Sequence, residues 1–192
     1  MNRQEFEHVI RACGAATSCK ELLIVGSQAI LGSVPDSRRD LRVSLELDVS
    51  PIPFSEEVVA IIDGNIGELS QFHKNFHIYA HGVGPDTATV PEDYRTRLVT
   101  VTVGGVSAHC VSPADLAYSK LAAGREKDME FVAGLLHHKI VRQVELQRLI
   151  AASRPEFKTT MKERLQIVLA KLAQRREAIH EQSRNRGRGM SM

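Results

Sequence analysis

Between Leu41 and Val49 apolar and polar residues alternate without a break. Leu41, Val43, Leu45, Leu47 and Val49 take one side of an extended segment, and Arg42, Ser44, Glu46 and Asp48 take the other. Period two predicts a half-buried strand and excludes an amphipathic helix. It also puts two carboxylates on one face with Cα atoms roughly 6.6 Å apart. At that spacing both side chains can converge on one divalent cation. Upstream, Leu22-Leu23-Ile24-Val25 reads as a buried strand that stops at Gly26-Ser27 and turns into a short helix, Gln28–Leu31. Free backbone N–H groups point outward at a helix start, so a Gly-Ser turn there suits a phosphate. A phosphate cradle beside a two-carboxylate clip is the minimum equipment for moving a nucleotide.

The surrounding chain predicts alternating helices and strands. Phe6, Val9, Ile10 and Cys13 form one apolar stripe of a helix over residues 3–16. Gly32 and Pro35 stop the short helix after the Gly-Ser turn, and Ser50-Pro51-Ile52-Pro53 closes the carboxylate strand. Ser55 caps a helix that Asp63-Gly64-Asn65 ends. A short helix is expected around Leu69–Lys74 and a strand at His77–His81. Leu98–Val103 and Val106–Val111 are β-rich, and Gly104-Gly105 joins them as a tight hairpin. Ser112-Pro113-Ala114-Asp115 opens a helix expected to reach about Leu136, with Ser112 as cap and Asp115 as the capping acid. Helices over 140–152 and from the Ser153-x-x-Glu156 box to about residue 181 follow.

On the helix from Pro113, Lys120, Gly124 and Asp128 are spaced four apart, with Arg125 beside them. A glycine inside a helix costs about 1 kcal/mol against alanine, which the close approach of a ligand or another backbone would explain. The plain alternative is a surface helix with ion pairs one turn apart. His73, His77 and His81 also recur every fourth residue, but Gly82 and the β-like run 77–81 argue against a helical metal face. No Gly-x-Ser-x-Gly elbow supports a serine hydrolase.

Charge is unevenly placed. The whole chain carries net +2, but residues 1–138 hold 12 Lys/Arg against 18 Asp/Glu, net −6, and residues 139–192 hold 13 against 5, net +8. A basic C-terminal quarter suggests an acidic partner, nucleic acid foremost, against the alternative of a solvated amphipathic helix with a basic tail. Three cysteines without metal-ligand spacing, no signal-peptide core and no long apolar run predict a cytoplasmic protein with reduced thiols and no membrane partner.

Gly26-Ser27 followed by Glu46-Leu47-Asp48-Val49 resembles the signature of the DNA polymerase β-like nucleotidyltransferase superfamily. Lys120-Leu121-Ala122-Ala123-Gly124-Arg125-Glu126-Lys127-Asp128 resembles the Lys…Arg…Asp motif of its bacterial branch of abortive-infection type IV toxins. The order of elements agrees too, over roughly residues 20–140. The resemblance implies an α/β (α+β) fold, a small mixed sheet flanked by helices. Its expected parts are a core over 1–138, a helical extension over 139–183 and a disordered basic tail over 184–192. It implies that Gly26, Ser27, Lys120 and Arg125 bind an NTP, that Glu46 and Asp48 bind Mg²⁺, and that Lys120 and Asp128 form a second catalytic pair. The implied activity is Mg²⁺-dependent transfer of a nucleotide to RNA or protein, in a toxin–antitoxin setting. The rival is an inactive fold of the same kind used as a binding or antitoxin-like module. Two departures bear on that choice. Glu46 stands where the superfamily more often has Asp, and no third acid is evident on the later strand, where 107–111 offers His109. Asp115 or Asp128 would have to substitute.

Overall fold

The computed structural model describes residues 1–188. They fall into two compact units, Met1–Ser119 and the residues from Lys120 onward.

The first unit is built on a five-stranded sheet: β1 (Glu21–Val25), β2 (Glu46–Ile52), β3 (Tyr79–Gly82), β4 (Val99–Val103) and β5 (Val106–Cys110). Their order is β3-β2-β1-β5-β4. β1 runs antiparallel to β2 and parallel to β5, β2 runs parallel to β3, and β4 and β5 form an antiparallel hairpin. The sheet is therefore mixed, and with its helices it has the α+β architecture expected. Leu22, Ile24, Leu47, Val49, Ala80, Ala108 and Cys110 lie on one face and are fully buried. Helices α1 (Arg3–Thr17) and α3 (Glu56–Ile66) pack on each other and on strands of this sheet. α1 contributes Phe6, Val9, Ile10 and Cys13, the stripe its spacing predicts. The opposite face carries Glu46, Asp48 and Ser50 on β2, because residues two apart on a strand share a face.

Several boundaries differ from the sequence pattern, each for a local reason. β2 begins at Glu46, not Leu41, and Val43 and Leu45 are exposed. β1 ends at Val25, opposite Asp48, so the residues before Glu46 have no strand beside them on that side. The Met1 amino group instead donates to the carbonyls of Arg42 and Ser44, at 2.9 and 2.6 Å. At its other end β2 continues through Pro51, paired with Leu22. Residues 47 and 49 turn their backbone polar groups toward β3, but that pairing stops at Val49–Gly82, so Pro51 lacks its N–H only where no strand lies beside it. α3 runs past Gly64 to Ile66 because Ile62 and Ile66, one turn apart, are both buried. α4 covers Gln71–Phe76, and Gly104 and Gly105 both adopt positive φ in the β4–β5 turn, as a tight hairpin requires.

The expected single helix from Pro113 to Leu136 is two: α5 (Pro113–Ala123) and α6 (Glu126–His137). Gly124 sits between them at φ +70°, a helix-ending conformation that glycine adopts without strain. Its missing side chain leaves room for the Arg164 guanidinium, which donates at 2.6 Å to each of the carbonyls of Leu121 and Ala122 near the end of α5. Gly124 therefore marks a helix end gripped by an arginine, not an interior gap.

The rest of the second unit consists of α7 (Gln143–Ala152) and α8 (Pro155–Arg188), packed with α6 around Leu135, Leu146, Ile150, Met161, Leu165, Val168 and Leu172. Ser153 closes α7 by donating its hydroxyl to the Ile150 carbonyl at 2.7 Å. α8 extends to Arg188; residues 189–192 of the expected tail lie outside the described residues. Among the described residues no helix is long and apolar enough to cross a membrane.

Candidate active site

The first unit brings the Gly-Ser turn against the carboxylate strand. β1 leaves the sheet at Val25, which faces Asp48 across the antiparallel pair. Gly26 follows at φ +66°, and a Cβ there would run into the Asp48 carboxylate. Only glycine lets the chain turn this close to the acid without strain. Ser27 then opens a single 3₁₀ turn, Ser27–Ala29, leading into α2 (Ile30–Ser33). Its first N–H groups have no acceptor within the turn.

The parallel β2–β3 pairing sets Glu46 beside Tyr79 and Asp48 beside His81. The Tyr79 hydroxyl donates to Glu46 Oε2 at 3.0 Å. His81 Nδ1 lies 3.4 Å from Asp48 Oδ1 and 3.7 Å from Glu46 Oε1. One ligand atom from each of Glu46, Asp48 and His81 fits within 4.8 Å of the others, so the trio could hold a metal ion. Their side chains are 35, 23 and 53% exposed respectively, open enough for an ion or a phosphate to reach. Oxygen donors converging from two acids suit a divalent cation, so the residues present fit the metal expected.

The electrostatics follow from this crowding. Burial, then the hydrogen bond and charge of Glu46, push the Asp48 carboxyl up from 3.8 to about 6, with His81 opposing them. Burial, then the bond to Glu46 and its charge, push the Tyr79 phenol up to about 12, so it stays a donor. Between about pH 4 and 6 the folded chain thus holds a proton at Asp48 that the unfolded chain has released. Metal-free stability should fall as pH rises through that window, with the penalty complete above pH 6. Asp48→Asn removes it. In metal-free buffer at about pH 7.5 the variant should be more stable by about 1–2 kcal/mol, the shift discounted for partial exposure, and the gain should vanish below about pH 4. Denaturant titrations at the two pH values check this; equal stabilities at both would contradict it.

Other residues singled out in the sequence are placed as follows. Lys120 Nζ lies 2.9 Å from Asp128 Oδ1, and Arg125 Nε donates to Asp128 Oδ2 at 2.6 Å. Asp128 is 1% exposed, in the first turn of α6. Burial would raise its carboxyl, but the hydrogen bonds from Arg125 and then Lys120 outweigh it and hold it below the ordinary range. Lys120 and Asp128 thus meet across a break, on two helices rather than one. Asp115, the other acid that could stand as a third, is fully buried and accepts from Arg97 Nη2 at 2.7 Å and from the Ser112 hydroxyl at 2.6 Å. His109 Nδ1 is 2.9 Å from the Thr100 hydroxyl.

Three residues at this site escape the sequence pattern: His81, Tyr79 and Gln28. Spacing groups His81 with His73 and His77, but His73 stacks on Tyr79 and His77 caps α4. The available signal is the alternation of Tyr79 and His81 within a short strand; which strand it joins is not legible. Gln28 follows Ser27 and is 1% exposed, with no protein partner for either polar atom of its amide.

A mixed sheet with a glycine turn abutting paired acids on the adjacent strand defines a nucleotidyltransferase-like protein. The chain belongs to the family described as "Nucleotidyltransferase of unknown function (DUF6036)", whose profile matches residues 6–184. Among curated proteins and among solved structures nothing matches.

Proposed function

We propose that the protein transfers a nucleotide from an NTP to a macromolecular acceptor, RNA or protein, with the help of a divalent cation, Mg²⁺ being the one the superfamily resemblance implies. The observation that carries this reading is the contact between Gly26 and Asp48, with Glu46 on the same sheet face. Transfer of this kind needs positioning and charge neutralisation more than covalent chemistry. The Gly26–Ser27 turn and the N–H groups after it receive the phosphates; Glu46 and Asp48 hold the cation, with Tyr79 fixing the second oxygen of Glu46. When bound, the cation neutralises charge that builds on the phosphate oxygens. The superfamily resemblance gives Lys120 the role of a phosphate contact and Arg125 that of a nucleotide-binding residue; in the structure both pair with Asp128. The abortive-infection resemblance supplies the setting: a toxin of a toxin–antitoxin pair. The second reading, an inactive module of the same fold, is favoured by one feature alone: Asp115, a candidate third acid, is committed to Arg97 and Ser112.

The direct test is incubation of the full chain with each α-labelled NTP, Mg²⁺ or Mn²⁺, and total RNA and protein. Label in one acceptor fraction supports transfer; no label with any combination moves the binding module ahead.

Two further outcomes are expected. Lys120→Ala should weaken NTP binding by about 1.5–3 kcal/mol, the worth of a charge-assisted hydrogen bond to phosphate. Because it also takes one of the two cations from the buried Asp128, which keeps Arg125, the double variant Lys120→Ala/Asp128→Asn should regain the stability lost with Lys120 but not the affinity. Calorimetric titration that finds wild-type affinity in both would remove Lys120 from the site. The basic segment 139–192, net +8, should bind RNA weakly, with affinity falling steeply with salt as counterions are released. Deleting residues 183–192 should lower that affinity at low salt; unchanged binding would exclude those residues.

A further inference from the structure

We infer that His81 is a ligand of the cation held by Glu46 and Asp48, and that its ring nitrogen tunes the site away from Mg²⁺ and toward Mn²⁺. This rests on the proposed metal site but not on nucleotide transfer taking place there.

The two carboxylates are turned in a consistent way. Glu46 Oε1 and Asp48 Oδ1 both face His81 Nδ1, at 3.7 and 3.4 Å. The remaining oxygens are occupied elsewhere: Glu46 Oε2 accepts from the Tyr79 hydroxyl, and Asp48 Oδ2 stands over Gly26. Each acid thus offers one oxygen to the same point, and the imidazole offers one nitrogen. Donors bound to a single ion at about 2.0–2.2 Å stand about 3–3.5 Å from one another; the two carboxylate oxygens stand 3.7 and 3.4 Å from the His81 nitrogen, and one donor from each of the three fits within 4.8 Å of the others. The arrangement comes from backbone register, since His81 and Asp48 are direct neighbours on parallel strands.

The donor set decides the preference. Two carboxylates and a neutral imidazole carry two negative charges, matching a divalent ion. Mg²⁺ favours an octahedral shell of oxygens, much of it water, and gains little from a nitrogen. Imidazole favours first-row transition ions over Mg²⁺; Mn²⁺, the weakest-bound of that row, is the one that shares the preference of Mg²⁺ for carboxylate and water oxygen, so a single added nitrogen shifts the balance between these two. A third acid at this place would complete an all-oxygen shell; His81 does not. The alternative is that a protonated His81 only forms ion pairs with the two acids.

Binding of Mn²⁺ to the full chain, without nucleotide, separates the two. Loss of the aqua-ion signal in electron paramagnetic resonance measures the affinity, and competition measures that of Mg²⁺. Pulsed measurement of the bound ion shows directly whether a nitrogen nucleus is coordinated. The wild type should show nitrogen modulation. His81→Ala should abolish the modulation and weaken Mn²⁺ about tenfold or more, with a much smaller change for Mg²⁺. His81→Asp should lack the modulation too, and its preference for Mn²⁺ over Mg²⁺ should fall by a similar factor. Bound Mn²⁺ without nitrogen modulation in the wild type would overturn the inference, as would an unchanged Mn²⁺/Mg²⁺ ratio in His81→Asp. The wild-type spectrum decides even if a variant fails to fold. Absence of transfer activity alongside nitrogen-coordinated Mn²⁺ would sink the catalytic reading and leave this one intact.

Discussion

Asp48→Asn should leave a folded protein that no longer transfers nucleotide. The substitution keeps the shape of the side chain and removes the charge that anchors a hard cation at the Gly-Ser turn. Loss of metal-assisted charge stabilisation amounts to several kcal/mol, so the rate should drop about 10³-fold or further. The same change removes the repulsion that helps push this carboxyl up to about 6, so the melting temperature in metal-free buffer at neutral pH should not fall. Labelling should therefore collapse in a preparation whose melting temperature is unchanged or higher. Equal labelling in wild type and variant would make the carboxylate clip incidental to the activity.

Asp115→Ala should do the reverse. Asp115 is fully buried, receives Arg97 through Nη2 at 2.7 Å and Nε at 3.1 Å, and accepts the Ser112 hydroxyl that caps α5. Removing one partner of a buried ion pair leaves an uncompensated charge and typically costs about 3–5 kcal/mol. Arg97 keeps Asp93 as a second partner, which places the loss toward the lower figure. For a chain of this size the melting temperature should fall by roughly 6–15 °C. Mn²⁺ affinity of the protein that remains folded should be unchanged. A stable Asp115→Ala protein that has lost its metal would restore Asp115 as the third acid and contradict its structural role.

The backbone half of the site is legible in the sequence because its signals are local. Two acids two residues apart must share a strand face, and the Gly-Ser pair marks a turn. Which strand lies beside which is not written locally. The pairing of Asp48 with His81 joins residues 33 apart and depends on β3 docking parallel to β2, an arrangement no hydrophobic period encodes. The alternation from Leu41 to Leu45 misleads for the same reason: a strand needs a neighbour, and there the chain has the Met1 amino group instead. The apolar pattern runs on through Gly124 and hides the helix end. The positive φ and the arginine from α8 that cap the helix there are tertiary facts. The Ser112–Asp115 box, by contrast, is fully readable, since its bonds span three residues.

The proposed nucleotide transfer depends on Gly26-Ser27, Glu46 and Asp48 forming one nucleotide and metal site. A crystal structure with Mn²⁺ and a non-hydrolysable NTP analogue, with data collected at the manganese absorption edge, tests that most directly. The expected result is an anomalous peak bonded to Glu46 and Asp48, with the triphosphate on the backbone after Gly26. A triphosphate bound elsewhere, with no peak at these two carboxylates, would contradict it.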